Sequence, residues 1–168
     1  MIEIKAPEDP ILNQVVRTSI FLAGSIEMGM AENWQERLVR ELKDEKNLII
    51  YNPRRDDWDS SWEQSIENAQ FNEQVTWELN HLKKANWIPI YFSPGTQSPI
   101  TLLELGLHAY SGKLIVCCPE GFWRKGNVDI VCRENEIEQV DTLDELVLNI
   151  KNKAKPKNVG NAAELIRL

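Results

Sequence analysis

The chain of 168 residues has few of the features that would assign it at once to a class of protein. It contains only three cysteines, and since Cys117 and Cys118 are adjacent in a predicted strand, no disulfide framework can form. No apolar run reaches the length of a membrane span, and the acidic start MIEIKAPEDP is unlike a signal peptide. We therefore expect a cytoplasmic protein with reduced core thiols.

Positive charge is also in short supply. Lys and Arg total 19 against 26 Asp and Glu, which gives a formal net charge of −7. With no basic stripe, this balance argues against a nucleic-acid polymer as the main partner. The hydrophobic share of 42% is ordinary for a globular protein. We predict a single domain over residues 1–168, with a core at about 18–153 and a polar tail at 154–168.

Two familiar nucleotide-binding motifs are missing. The segment from Gly24 to Gly29 has the glycine spacing of a P-loop, but Met30 stands where that motif has lysine, and no GxGxxG is present. Cys132 lacks the paired spacing of a zinc site, so we expect no zinc, and with both nucleotide fingerprints absent we expect no cofactor. The turn at Gly24 and Ser25 can still hold a small polar ligand on backbone N–H groups.

Short apolar segments alternate with amphipathic ones. The periodicity predicts five buried strands, at residues 18–23, 48–51, 87–92, 113–118 and 136–140. Four helices are predicted, at residues 31–44, 62–85, 99–111 and 142–153, and residues 1–16 are expected to be irregular. This pattern indicates a doubly wound, flavodoxin/Rossmann-like α/β domain with one five-stranded parallel sheet. Its commonest strand order is 2-1-3-4-5, with ligands bound at the switch point between strands 1 and 3.

The helix after the third predicted strand leaves from that switch point. Ser98 suits its N-cap, and Gly112 suits the left-handed residue that ends it. Leucines cover most of its circumference, and a narrow polar stripe holds Thr101, Glu104 and His108. A lone carboxylate so near the switch point makes Glu104 a candidate catalytic residue. The alternative is the exposed polar edge of a core helix.

Two other segments carry candidate residues. Glu78 lies on the same side of helix 62–85 as the apolar stripe from Phe71 to Leu82, so it is either a solvated flank or a functional group. The loop NPRRDDWDSSW, after the second strand, combines arginine, aspartate and tryptophan, which suits a flat heterocycle. The alternative there is a solvated turn with internal Arg–Asp pairs.

Together these segments resemble the nucleoside 2-deoxyribosyltransferase family. The matching pieces are IFLAGSI, YNPRRDDWD, WEL at 77–79, LLELGLHAYSGK and GFWRKGNVDIV, and they span residues 18 to 132. The resemblance implies a nucleotide-salvage enzyme that transfers 2-deoxyribose from a 2′-deoxynucleoside to another nucleobase. It also implies a dimer-based homo-oligomer that acts without nucleic acid or membrane.

By the same resemblance, Glu104 is the nucleophile that attacks the anomeric carbon and forms a covalent deoxyribosyl-enzyme. Glu78 stands where the family usually has an aspartate and would help to protonate the leaving base. One carboxylate then attacks while another group supplies a proton, as in retaining glycosidases. Asn127 resembles the asparagine that a neighbouring subunit directs to the sugar 5′-hydroxyl. The base would be held by Arg55, Asp57 and Trp58.

One departure leaves the reaction open. Many of the transferases carry an aspartate six residues before the nucleophile, where this chain has Ser98. A serine there resembles relatives that hydrolyse 2′-deoxynucleoside 5′-monophosphates and use it to bind phosphate. Ser98 is equally an ordinary N-cap, and we favour transfer.

Two further classes remain as alternatives. A non-catalytic nucleotide-sensing domain would need the pocket but not Glu104. A phosphoribohydrolase of the lysine-decarboxylase-like family is disfavoured, because SPGTQSPITLLE lacks the double glycine of that family.

Overall fold

Parallel strands alternate with helices in the computed structural model, which describes residues 1–11, 17–26, 33–59 and 61–155. The strands are β1 (Ile2–Lys5), β2 (Thr18–Phe21), β3 (Ala23–Gly24), β4 (Leu48–Asn52), β5 (Ile88–Tyr91), β6 (Leu114–Cys117) and β7 (Glu138–Val140). The α-helices are α1 (Trp34–Glu41), α2 (Ala69–Lys84), α3 (Pro99–His108), α4 (Lys125–Glu134) and α5 (Leu143–Ala154). The predicted α/β class is confirmed.

The strands form two parallel sheets, so the prediction of a single five-stranded sheet was wrong. One sheet has the order β1-β4-β2 and the other the order β3-β5-β6-β7. The reason lies at Leu22, where the predicted strand 18–23 divides: β2 pairs with β4, and β3 pairs with β5. The N–H of Leu22 donates to the Tyr51 carbonyl (3.0 Å), and that of Phe21 donates to the Trp87 carbonyl (3.1 Å). Within each sheet the neighbours agree with the predicted order.

The expected irregular lead-in contains an edge strand, β1. Its residues pair in parallel with β4, and Ile4 is buried in the core. The chain beyond β1 is held on α2, because the indole N–H of Trp77 donates to the Glu8 carbonyl (2.8 Å). A four-residue strand is too short for its apolar alternation to stand out in the sequence. Residues 12–16 of the lead-in lie outside the described residues.

Helix α2 begins at Ala69, later than the predicted residue 62. The Asn68 side chain caps it by accepting a hydrogen bond from the Phe71 N–H (2.9 Å), and turns occupy much of the preceding segment. The buried face also differs from the predicted stripe, since Leu79 of that stripe is exposed. The residues actually buried are Gln74, Trp77, His81 and Leu82.

The other helices agree with the sequence to different degrees. The side chains of Thr142 and Glu145 form a capping box at the start of α5, where the sequence predicts a helix from residue 142. Gly112, at φ +68, ends the short 3₁₀ helix Ala109–Ser111 that follows α3. Helix α4 was not predicted, since Gly126 and an N-terminus without a side-chain cap obscure its periodicity. The predicted start of α1, at Ala31, lies outside the described residues, as do residues 156–168 of the predicted tail.

The core lies on both faces of the strands. Helices α2, α3 and α4 pack on one face, and α1 and α5 pack on the other. The three cysteines are buried free thiols, and burial raises the pKa of Cys117 to about 12. Among the described helices, none is both long enough and apolar enough to span a bilayer.

Candidate active site

Strand β3 brings the backbone at Gly24 into close contact with β5. A Cβ atom at Gly24 would lie 2.5 Å from the Tyr91 carbonyl oxygen and 2.7 Å from the indole of Trp34. Its φ of +148° is also one that other residues rarely adopt, so glycine is required here. The next residue is fixed by two bonds: the Ser25 N–H donates to the Tyr91 carbonyl, and the Trp34 indole N–H donates to the Ser25 carbonyl, each at 3.0 Å.

Three hydroxyl groups meet beyond the carboxyl ends of β3 and β5. The Oγ of Ser25 lies 2.5 Å from the Oγ of Ser98 and 3.1 Å from the Oγ1 of Thr96. The hydroxyls of Thr96 and Ser98 are 2.8 Å apart, and the Ser93 N–H donates to Ser25 Oγ (2.9 Å). Ser98 occupies the N-cap position of α3, but its side chain makes no capping bond, so the predicted capping role was wrong. Sequence reasoning missed Thr96, although the hydroxyl-rich segment SPGTQS was a signal.

Helix α3 runs from this hydroxyl cluster and directs Glu104 inward. Thr101 and Glu104 are only 3% and 8% exposed, while His108 is half-buried. The polar stripe therefore faces the interior over most of its length, so it is not the exposed polar edge of a core helix. The opposite side of α3 is apolar and exposed, with Ile100, Leu103 and Leu107, and Tyr110 of the following 3₁₀ helix is exposed as well. The amphipathic character of this helix is reversed relative to an ordinary surface helix.

Glu104 on α3 and Glu78 on α2 form an interacting carboxylate pair. Burial, together with the negative charge of Glu78, raises the pKa of Glu104 to about 8. Burial raises the pKa of Glu78 to about 6, against the opposing effect of a hydrogen bond from Gln74. At neutral pH the pair as a whole therefore holds about one proton and one negative charge. Such a pair can supply a nucleophile and a proton donor at the same site.

Gln74 is a residue of this site that sequence reasoning missed. It is 3% exposed, and its Nε2 donates to Glu78 Oε1 (2.7 Å) and to the Pro53 carbonyl (2.8 Å). The available signal was its position four residues before Glu78 on one helix, the spacing at which side chains meet.

The loop after β4 is attached to α2 by Arg55. Its guanidinium, on a side chain only 6% exposed, contacts Asp57 (2.8 Å) and Glu73 (3.3 Å). The hydrogen bond with Asp57 raises the pKa of Arg55 and lowers that of Asp57. Arg55 and Asp57 thus pair with each other, as the alternative interpretation expected. Trp58 is 36% exposed and meets Trp62 nearly edge to face, with ring centroids 5.1 Å apart, which leaves aromatic surface available for stacking.

Asn127 lies in a different place. It is exposed on α4 and lines a shallow depression of about 130 Å³ together with Leu102, Leu105 and Gly106. The residues that line this depression include neither Glu104 nor Glu78. This depression therefore does not connect Asn127 to the carboxylate pair.

A more polar cavity of about 340 Å³ lies beside α1, and Lys5, Asn52 and Arg54 contribute to its lining. Some of its polar groups already have partners within the chain: Lys5 forms an ion pair with Asp56 (2.8 Å), and the Asn52 amide donates a hydrogen bond to Glu3 (2.8 Å). Neither glutamate of the pair lines it, so we assign the candidate active site to the pair instead. Among the residues that the structure describes, no cluster of three or more His, Cys, Asp or Glu is arranged to hold a metal ion.

Fold and site together define the class as a parallel α/β protein with a pair of glutamates, Glu104 buried and Glu78 half-buried, next to the β3/β5 switch point. The sequence model of the family described as "Nucleoside 2-deoxyribosyltransferase like" matches residues 17–122, and the chain belongs to this family. The match covers both glutamates and the loop after β4, but it ends before Asn127.

The fold is also similar to a crystal structure of a conserved protein from Enterococcus faecalis V583. The TM-score is 0.60 at 14% sequence identity, over 82% of this chain and 99% of that one. At this identity the likeness concerns the fold alone. No protein of curated function matches the chain.

Proposed function

We propose that this protein cleaves the N-glycosidic bond of 2′-deoxynucleosides and transfers the deoxyribose to a second nucleobase. The observation that carries the proposal is the pair formed by Glu104, which is buried, and Glu78, which is half-buried, with the pKa of each carboxyl raised. A 2-deoxy sugar lacks the electron-withdrawing 2-hydroxyl, so its oxocarbenium-like transition state can be reached with two carboxyl groups and no cofactor. Membership of the family supports the same substrate class.

The reaction takes two displacements at the anomeric carbon. The pKa of Glu104 is the higher of the two, so the pair's proton must first pass from Glu104 to Glu78 to give the reactive arrangement. A carboxylate oxygen of Glu104 then bonds to C1′ while the C1′–N bond breaks, and the departing base takes the bond electrons and a proton from Glu78. A nitrogen of the second base then attacks C1′, the ester bond to Glu104 breaks, and the proton of the incoming base returns to Glu78. The starting state of the pair, with one proton and one charge, is restored. Water in place of the second base would release free deoxyribose.

The remaining predicted residues take binding roles in this proposal. The exposed surface of Trp58 stacks on the base, and Arg55 and Asp57 supply polar groups beside it. The backbone at Gly24 and Ser25 borders the sugar. Location in the cytoplasm and a single domain over the whole chain belong to the same proposal.

A homo-oligomer is part of the proposal, with Asn127 serving the active site of a neighbour. It is supported by the apolar outer face of α3, defined by Ile100, Leu103 and Leu107 together with Tyr110 of the following 3₁₀ helix, whose members are between 58% and 93% exposed. An exposed apolar face of this kind is typical of a protein–protein interface. Asn127 lines a depression against the same helix, which suits a role across that interface.

One observation favours a second candidate function, the hydrolysis of 2′-deoxynucleoside 5′-monophosphates. The hydroxyls of Ser25, Thr96 and Ser98 converge where α3 begins. Hydroxyls beside a helix N-terminus are suitable donors to phosphate oxygens. Ser98 would then bind the 5′-phosphate instead of leaving room for a 5′-hydroxyl.

The deciding experiment incubates the protein with a 2′-deoxynucleoside, with and without an excess of a different free base, and follows both bases and free deoxyribose by chromatography. We expect a new nucleoside with retained β configuration. Glu104→Gln should lower base release by roughly 10³-fold or more while substrate binding survives. Glu134→Gln is the control. Its exposed side chain lies at the C-terminal end of α4, and therefore near the amino ends of the strands, whereas the site lies at their carboxyl ends.

Other outcomes would contradict the proposal in distinct ways. Free sugar alone, with a strong preference for 5′-monophosphates, would support the hydrolase. Binding of both substrate classes without any turnover would support a sensor. Full activity of Glu104→Gln would exclude this residue as the nucleophile.

A further inference from the structure

The side-chain amide of Gln74 connects two parts of the candidate site that belong to different elements. Its Nε2 lies 2.7 Å from Glu78 Oε1 and 2.8 Å from the carbonyl oxygen of Pro53, in the loop after β4. The amide nitrogen carries two hydrogens, and each has one acceptor. The orientation of the amide is therefore determined, since the reverse orientation would place Oε1 against two acceptors.

The other atom of the same amide is left without a partner. Gln74 is 3% exposed, and its Oε1 is buried without a hydrogen-bond partner among the described residues. A buried polar atom without a partner destabilises the folded state, and such atoms in native proteins call for an explanation. The explanation offered by the geometry is that the site needs both bonds of the nitrogen.

A second contact holds the same two elements together one residue earlier on α2. Arg55 reaches Glu73 at 3.3 Å, so consecutive residues of α2, Glu73 and Gln74, both hold the loop after β4. Only Gln74 also contacts a residue of the carboxylate pair. It lies between the loop that we assign to the base and the carboxyl that we assign to its protonation.

We propose that Gln74 is a positioning residue that fixes the carboxyl group of Glu78 relative to the loop after β4. The consequence for catalysis rests on the proposed function: a base held by this loop departs at a fixed distance from its proton donor. A positioning role of this kind acts on the rate of the chemical step more than on substrate affinity.

The test compares Gln74→Met, which keeps the volume and removes both bonds, with Thr76→Val. Thr76 makes the same kind of contact on the exposed side of α2, a hydrogen bond of 3.0 Å to Asn72 four residues away, so it is a matched control. Both substitutions are made in a Glu104→Gln background, in which Glu78 titrates without its partner. The titration of the Glu78 carboxyl is followed by ¹³C NMR, and the exchange of the amides of residues 54–58 by hydrogen–deuterium exchange.

Gln74→Met should raise the pKa of Glu78 by about one unit, because a donor to its ionised form is lost. It should also speed amide exchange in the loop, and Thr76→Val should do neither. Unchanged titration and exchange in folded Gln74→Met would overturn the inference. If Gln74→Met does not fold, Gln74→Asn gives the same decision, since its amide is too short to reach both acceptors.

Turnover provides an independent measurement, made in protein that retains Glu104. Gln74→Met should lower kcat by roughly 10-fold with little change in KM, and it should move the acidic limb of the pH profile to higher pH. A rise in KM alone would overturn the positioning role. If no variant and no wild-type protein turns over substrate, the proposed function fails, while titration and exchange still decide the role of Gln74.

Discussion

The hydroxyl oxygens of Ser25 and Ser98 lie 2.5 Å apart, although 73 residues separate them in the chain. This contact joins the segment after β3 to the first residue before α3, the helix that carries Glu104. Ser25 and Ser98 therefore form one wall of the candidate site.

Ser98→Asp tests which substrate this wall accepts. A carboxylate there would repel a 5′-phosphate but not a 5′-hydroxyl, so we expect kcat/KM for 5′-monophosphates to fall at least about 10-fold relative to nucleosides. Both substrate classes are measured with the same base. Ser98→Ala separates charge from loss of the hydroxyl. An unchanged ratio in Ser98→Asp would show that Ser98 does not contact the 5′ end.

The carboxylate pair predicts a bell-shaped pH dependence of kcat/KM. Below about pH 6 both carboxyls are protonated and the nucleophile is lost, whereas above about pH 8 the pair has lost its proton and the acid is lost. The rate should therefore be greatest near pH 7. Steady-state rates from pH 4.5 to 9.5 provide the measurement. A rate that keeps rising through pH 9 would contradict a role for a protonated carboxyl.

Stability should respond to the same pair with a defined sign. The pKa of Glu104 is raised from 4.5 to about 8, so the folded state holds this proton more tightly than the unfolded state, and stability falls as pH rises between these values. Glu104→Gln cannot ionise and should be more stable than wild type above pH 8, but not at pH 4. One pKa unit corresponds to about 1.4 kcal/mol, so the rise from 4.5 to about 8 gives a gain of up to about 5 kcal/mol, or roughly 10–20 °C in Tm.

Thermal unfolding at pH 4 and pH 9 checks this expectation. Glu134→Gln, with its exposed carboxylate, is the control and should show no such pH-dependent gain. An equal effect of Glu104→Gln at both pH values would mean that ionisation of Glu104 does not oppose folding.

Trp58→Ala should weaken recognition of the base. Loss of a stacking surface costs on the order of 1–3 kcal/mol, so the apparent KM should rise by roughly 5- to 150-fold. Trp58→Phe retains an aromatic face and should have a smaller effect. The KM values for several deoxynucleosides are compared between the two variants. If neither KM nor base preference changes, the loop after β4 does not contact the base.

A mixing experiment tests whether Asn127 acts across subunits. We expect Glu104→Gln and Asn127→Ala each to be nearly inactive alone. If each site uses Glu104 of one subunit and Asn127 of another, a dimer with one copy of each variant has one intact site. Equal mixing with subunit exchange should then restore about one quarter of the wild-type rate.

Activity and sedimentation are measured on the same mixtures. No recovery despite exchange would mean that Asn127 acts within its own chain or not at all. The double variant Leu103→Glu/Leu107→Glu places two negative charges on the apolar face of α3. It should dissociate the oligomer if this face forms the interface.

Local signals in the sequence predicted most of the local structure. The left-handed residue Gly112 and the start of the last helix near residue 142 depend on short stretches of chain, and the structure agrees with both. β1 was missed because four residues provide too little periodicity. The division at Leu22 was missed because it depends on which strands pair on either side.

The side-chain contacts of the site depend on residues far apart in the chain. Thr96 reaches Ser25 over 71 residues, and Gln74 reaches Pro53 over 21, and no spacing rule anticipates either contact. The burial of Glu104 could likewise not be predicted from the sequence. A polar stripe on a leucine-rich helix faces water unless the interior contains a second polar group beside it. Glu78, whose negative charge acts on Glu104, is such a group here.

The space around Gly24 has a consequence for mutational tolerance. A side chain there would meet the backbone of Tyr91 and the ring of Trp34, neither of which can move without disturbing β5 or α1. In a saturation library scored for cellular abundance and for turnover, substitutions at Gly24 would lose both signals together. Substitutions at Glu104 that preserve its shape would keep abundance and lose turnover alone. The two positions border one site, but their variants would fall into separate classes in such a map.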